Sequence, residues 1–452
     1  MKGSKRPRGV AGLLAGLWLG AAAHAAEPGD AERARDDRIG ELERKVEVLT
    51  EELARTRAEQ AVPEEPGLAS VFGLGPAASK VYGVARGLSL GGYGEGFYQK
   101  LVGDEGGARD SADLLRLVLY PGYKFTDRIL FNSEIEFEHA TTASTKSAGG
   151  GSVSVEFANL DFLLTDWANA RAGLLLVPMG FLNEIHEPPF YYGTNRPDVE
   201  RQILPTTWRE NGVGLFGRVL GDQLEYKVYG LNGFNAEGFD STGLREGRQQ
   251  GNRVLAEHLA FVASLDWTPV EPLQLGGSVY YGKTGQNQVL ASVAMPGTSV
   301  AIPDAPLHLW EVHGQLEAFG LHLRGLFAMA HLGQAGALTA ALRSIGEIGG
   351  SETVAREMLG VYGEIAYDVL PLLFPDTEMS LQPFFRYEYL DTQGEAPSGF
   401  AGSAARAVES HTVGFSFEPI PQVVIKADYR SRDAKGGATA PDEFNLGMGF
   451  VF

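Results

Sequence analysis

The residues best equipped for chemistry crowd into one stretch, Pro178 to Gly212, which reads PMGFLNEIHEPPFYYGTNRPDVERQILPTTWRENG. It carries Glu184, His186, Glu187, Arg196, Arg201 and Arg209 among the aromatics Tyr191, Tyr192 and Trp208. Carboxylates and guanidinium groups held face to face across a narrow opening make a field that sorts passing ions by charge. Arg196, Arg201 and Arg209 are the cationic half of such an opening, and Glu184 and Glu187 the anionic half. The bland alternative is that these charges pair with the scaffold and pin the segment down. At least half of them are expected to do so. Glu184, His186 and Glu187 are also metal-ligand types. Three close residues on an irregular loop fix no coordination geometry, so no metal and no cofactor is expected. Five prolines make the segment stiff, and a long ordered loop of this kind is usually functional.

Little else suggests catalysis. His139 stands near Thr141 and Ser144, but no serine–histidine pair has a supporting context, and an enzyme is not expected. The absence of cysteine excludes disulfides and thiolate metal sites. Asp and Glu total 57 against 38 Lys and Arg, a net charge of −19. This argues against nucleic acid as a partner, because phosphate binding needs a basic footprint.

A stiff loop needs a rigid frame, and the frame is written in a period of two. Phe131, Ile135 and Phe137 alternate with Asn132, Glu134, Glu136 and Glu138. Met379, Leu381, Phe385, Tyr387 and Tyr389 alternate with Ser380, Gln382, Arg386 and Glu388. The chain closes with Phe444, Leu446, Met448, Phe450 and Phe452 against Asn445, Gly447 and Gly449. Strands are expected near 88–100, 113–125, 129–138, 152–164, 169–178, 212–219, 223–231, 258–268, 272–284, 307–318, 320–332, 357–368, 378–390, 408–418, 422–432 and 443–452. Those at 88–100, 152–164 and 169–178 alternate poorly. Pro383 falls inside a strand and predicts a bulge or a missing ladder bond.

Alternation alone also fits a soluble sandwich. Loop parity separates the two. Joins after even strands are short, such as TDR, LGDQ and FG, while joins after odd strands are mostly long. That sorting, with a terminal Phe452, is the pattern of a transmembrane antiparallel β-barrel of about sixteen strands. Trp167 and Trp267, beside short turns, suit an interfacial girdle. The polar face of such an all-β barrel lines a pore. Glu134, Glu136 and Glu138 form an acidic ladder on one wall; Lys227, Arg324, Arg386, Lys426 and Arg430 are the basic positions.

Upstream, Lys2, Lys5, Arg6 and Arg8 precede an apolar run and the small residues AAAHAA. This reads as an export signal over residues 1–26. Ile39, Leu42, Val46, Leu49 and Leu53 then follow heptad spacing. Residues 27–62 are expected to be an N-terminal periplasmic coiled-coil helix, 63–87 a linker, and 88–452 the barrel.

Four segments carry a family resemblance: LSLGGYGEGFYQ, FTDRILFNSEIEFEHA, NEIHEPPFYYGTNRPDVERQILPTTWRENGVGLFGR and LGMGFVF. They resemble bacterial outer-membrane porins related to the phosphate-selective porin O and P family. The resemblance spans the barrel and implies a homotrimeric sixteen-stranded channel for anions. It also places the protein in the outer membrane of a Gram-negative-type cell, in contact with lipid. The chain departs from that family in its acidic barrel and its few lumen lysines, Lys227 and Lys426. The pore role is carried over and phosphate specificity is not. The expected function is passive diffusion of small polar solutes or ions. The alternative is an envelope tether joined to the periplasm through its coiled coil.

Overall fold

The computed structural model describes residues 38, 40–41, 44–48, 50, 69–103, 109–146, 148–437 and 441–452. The expected signal and the heptad positions Ile39, Leu42, Leu49 and Leu53 lie outside them. The described residues between 38 and 50 are helical, with Lys45 paired to Glu41 at 2.7 Å.

Sixteen antiparallel strands close into a barrel. In chain order they are β1 (Gly87–Val102), β2 (Ser111–Thr126), β3 (Ile129–Glu138), β4 (Ser152–Phe162), β5 (Asn169–Leu176), β6 (Arg209–Val219), β7 (Leu224–Asn232), β8 (Leu259–Val270) and β9 (Leu273–Gly282). After a two-stranded hairpin, β10 (Val289–Ala291) and β11 (Ser299–Ala301), come β12 (Leu307–Ala318), β13 (Leu321–Leu332), β14 (Glu357–Tyr367), β15 (Ser380–Glu395), β16 (Ala407–Ile420), β17 (Val423–Ala434) and β18 (Asp442–Val451). The hairpin belongs to a long loop and not to the barrel, and no strand is expected there from the sequence.

Closure leaves no free edge. β18 pairs with β1 from Val102↔Asp442 to Tyr93↔Val451. Phe452 then exchanges both backbone hydrogen bonds with Gly92, at 2.8 and 2.9 Å. Every barrel strand thus has two neighbours, the condition for a sheet surrounded by apolar solvent. The outer face is correspondingly apolar: Leu446, Met448, Val413 and Phe415 are among its exposed side chains. Trp167 and Trp267 are exposed at the short-turn end.

Pro383 causes no bulge. It stays in register opposite Phe415 of β16, while the β14–β15 ladder begins only at Phe384, so on its β14 side no ladder bond is lost. Real bulges lie elsewhere, on β2 where Arg116 and Asp113 face Glu95 and Phe97 of β1, and on β4 where Phe157 and Val155 face Glu134 and Ile135 of β3.

Part of the expected linker folds into the bore. Helix α1 (Pro76–Gly83) packs on β1, β2 and β3. Asn132 donates to the Ala78 carbonyl at 2.8 Å, and Arg171 donates to the Tyr82 hydroxyl at 2.9 Å. Gly91 makes the fit possible, since a Cβ there would stand 2.4 Å from the Ala77 carbonyl oxygen. Gly91→Leu should therefore push α1 off the wall at a cost of about 1–3 kcal/mol, while the barrel still closes. Hydrogen exchange checks this: amides of 76–83 should lose protection and strand amides keep theirs. Unchanged protection of α1 would contradict the packing.

Candidate functional site

The loop between β5 and β6, residues 177–208, is clamped at its neck. Asn183 donates to the carbonyls of Val177 and Trp208 at 2.6 and 2.8 Å and accepts from the Trp208 amide at 2.6 Å. Trp208 is fully buried against Phe234 and Tyr280, with ring centroids 4.6 and 5.0 Å away. Glu200, in the short helix α2 (Asp198–Gln202), accepts from the Leu182 amide at 2.7 Å and from the Tyr362 hydroxyl at 2.6 Å.

From that neck the loop crosses to the opposite wall. β15, β16 and β17 lie about half-way round the strand order from β5 and β6, and the tip is fastened there. Lys426 donates to the carbonyls of Tyr191 and Gly193 at 2.7 and 3.0 Å. Arg386 donates to the carbonyl of Asn195 at 3.0 Å and to that of Tyr192, and is held by Glu364 at 2.6 Å. Asp428 accepts from the Thr194 amide at 2.7 Å, and Glu388 from the Asp198 amide at 2.6 Å. Arg430 lies 2.5 Å from Asp198. The closing strand leaves room for this docking, since a Cβ on Gly449 would meet Pro188 at 2.2 Å.

The basic wall positions are therefore mostly loop anchors. Arg386, Lys426 and Arg430 are only 2–3% exposed; Arg386 and Lys426 lie under the loop, and Arg430 also borders the outer cavity. Arg324 donates to the Phe190 carbonyl at 3.2 Å and also borders open space. Lys227 is buried and holds Glu184 at 2.8 Å. On the acidic ladder, Glu136 pairs with Arg116 at 3.1 Å. Glu138 accepts from Ser152 at 3.1 Å, and Glu134 lies 3.1 Å from His186.

The loop's own charges do not form the expected opening across the bore. Glu184 turns toward the short-turn end to meet Lys227. Glu187 accepts from the Ala77 amide at 3.1 Å, at the start of α1, and burial pushes its carboxyl up to about 8. His186 is 1% exposed; burial first, and then the nearby Arg196, holds its imidazole down at about 3. Arg196 donates to the His186 carbonyl at 3.4 Å. Arg201 lies 3.4 Å from Asp198 with half its side chain exposed. Arg209 opens β6 and pairs with Glu156 at 2.7 Å.

The result is two polar cavities on either side of the loop, with Tyr191 lining both. The one at the long-loop end, about 610 Å³, is rich in arginine, with Arg116, Arg196, Arg201, Arg209, Arg245 and Arg248 on its walls. The one at the short-turn end, about 530 Å³, is lined by Glu184, Asp222, Glu225, Asp266, Glu317 and Glu418, set against Arg218, Lys227 and Arg324. Charge is thus separated along the barrel axis. Sequence reasoning missed Arg116, Arg245 and Arg248. Arg116 sits in LLRLVL, whose near-continuous apolar run hides its face. Arg245 and Arg248 come from the loop after β7, where no periodicity applies. Both donate to backbone carbonyls of the β5–β6 loop.

No protein-family model matches the chain. Solved structures with the same fold include OmpF of Salmonella typhi in complex with daunomycin, with a TM-score of 0.53 at 11% identity over 81% of this chain and 98% of that one. Another is the outer membrane channel DcaP of Acinetobacter baumannii, with a TM-score of 0.50 at 15% identity over 81% of this chain and 97% of that one. An uncharacterised protein of Aquifex aeolicus is 36% identical over 367 residues, 80% of each chain. The protein belongs to one family with that Aquifex protein, and its fold is the closed sixteen-stranded barrel of the bacterial outer-membrane porins.

Proposed function

We propose that the protein is an outer-membrane porin, a passive diffusion channel for small polar solutes or ions, narrowed by the loop of residues 177–208. The observation that carries this reading is the loop itself. It spans the bore, is latched at both walls, and has a polar cavity on each side. A tether would need only the barrel and the N-terminal helix. It would have no use for charged vestibules built along an axis. The long-loop end is the outer mouth and the short turns face the periplasm, by the usual arrangement of such barrels. The heptad-spaced N-terminal segment, the trimeric state and the export signal belong to the same reading. Phosphate selectivity does not, since acids accompany the arginines in the outer cavity, among them Glu136, Glu138 and Glu443.

Two outcomes follow. Purified protein in a planar bilayer should give discrete conductance steps with weak ion selectivity. A complete absence of steps would refute the channel, and block by micromolar phosphate would refute the weak selectivity. Axial charge separation should also make the current–voltage curve asymmetric at low salt. Arg201→Gln should reduce the asymmetry. So should raising the salt from about 0.1 M to about 1 M, which shortens the screening length from about 10 Å to about 3 Å. A curve symmetric at all salt concentrations would contradict the axial arrangement.

A further inference from the structure

Beneath the loop, Glu134 of β3 and Glu156 of β4 converge on His186. The exposures are 0%, 2% and 1% respectively. His186 Nε2 lies 3.1 Å from a Glu134 oxygen and 3.9 Å from a Glu156 oxygen. One ligand atom from each of the three residues fits within a span of 4.8 Å. Bond lengths of about 2.0–2.1 Å in a tetrahedral site place ligand atoms about 3.4 Å apart. The two measured separations bracket that value.

Three further observations point to a bound cation. First, the site depends on a bulge. Where Glu134 and Ile135 face Phe157 and Val155, an extra residue on β4 turns both Glu156 and Phe157 inward, and bulges commonly re-aim a side chain in this way. Second, Glu134 Oε2 and Glu156 Oε2 are buried with no hydrogen-bond partner among the described residues. Such orphans are rare and call for an explanation, an ion being one. The Glu156 orphan is the oxygen 3.9 Å from the imidazole. Third, the local cations leave Glu134 without an ion pair: among the described residues Arg196 donates only to the His186 carbonyl, at 3.4 Å. Arg209 takes the other Glu156 oxygen at 2.7 Å, and Arg116 takes Glu95 and Glu136 at 2.7 and 3.1 Å. Glu134 has no arginine or lysine within ion-pair distance among the described residues.

We propose that Glu134, Glu156 and His186 bind a divalent transition-metal ion of the zinc type, which fastens the crossing loop to the β3–β4 wall. One imidazole and two carboxylates form the mixed donor set such ions accept. A fourth position is left for water. Glu156 borders the outer cavity, which supplies a route of entry. The proposal does not depend on conduction, because binding is read without any current.

The test uses the full-length protein, folded in detergent, stripped with a chelator and titrated with zinc by calorimetry and elemental analysis. One zinc per chain is expected. His186→Gln and Glu134→Gln, near in volume to the parent side chains, should each lose it. The folded state of each variant is checked by its β-sheet circular dichroism and by its heat-dependent gel mobility. If one variant fails to fold, the other decides. No stoichiometric zinc in the parent protein would overturn the proposal, leaving a shared proton to satisfy the pair of carboxylates. Equal zinc binding by the folded variants would overturn it as well, by locating the ion elsewhere.

Discussion

The bore is organised by two buried cations that meet the bare carbonyls of a loop tip. Lys426 and Arg386 donate to the backbone carbonyls of residues 191–193 and 195 on the wall opposite the loop's origin. Irregular backbone inside a barrel must have its polar groups satisfied by protein or water. Carbonyls in a row cannot satisfy one another, so cations are the natural partners. Arg386 is tolerable in that position because Glu364 neutralises it at 2.6 Å. Breaking such a buried pair typically costs about 3–5 kcal/mol. The rest of the interior is arranged round this latch. Gly449 in the closing strand gives Pro188 space, and Asn183 and Trp208 secure the other end.

Once the loop crosses, the space on either side becomes distinct. Arginines from the barrel wall, the crossing loop and the loop after β7 gather at the long-loop end, while at the short-turn end carboxylates outnumber the arginines and lysine. The electrostatic axis therefore runs along the barrel and not across it. Helix α1 adds a second obstruction on the β1–β3 wall, and Glu187 joins it to the crossing loop at the Ala77 amide. Loop and helix thus share a contact, so a change in one bears on the other.

Much of the frame was legible in the sequence. Strand number and loop parity follow from a period of two and from turn lengths, both local properties. The positions of the charged residues on inward faces followed too, as for Glu134, Glu136, Arg386 and Lys426. Their partners did not, because pairing across a bore links residues more than two hundred positions apart in sequence, as Lys426 is from Tyr191. Strand 1 keeps its register throughout, and its glycines hide the pattern. The poor alternation of strand 4 has a physical cause, since it carries a bulge that shifts its face midway. Glu156 escaped notice for that reason. Helix α1 escaped notice because PAASKVYG is short and has no strong amphipathic signature, and it is helical only against a wall of Gly91 and Gly122. The eyelet expected from Arg196, Arg201 and Arg209 failed because sequence proximity does not say on which side of a loop a side chain emerges.

The central claim is that the crossing loop narrows a continuous passage between two vestibules. The chain has no cysteine, so single Arg201→Cys and Glu225→Cys variants report on the two sides without background. Barrels reconstituted in vesicles with the long-loop end outward are treated from outside with a small and then with a bulky membrane-impermeant thiol reagent. The small reagent should label both positions, and the bulky one only the cysteine at position 201. Equal labelling of both sites by the bulky reagent would contradict a constriction, and no labelling of position 225 by the small one would contradict a channel.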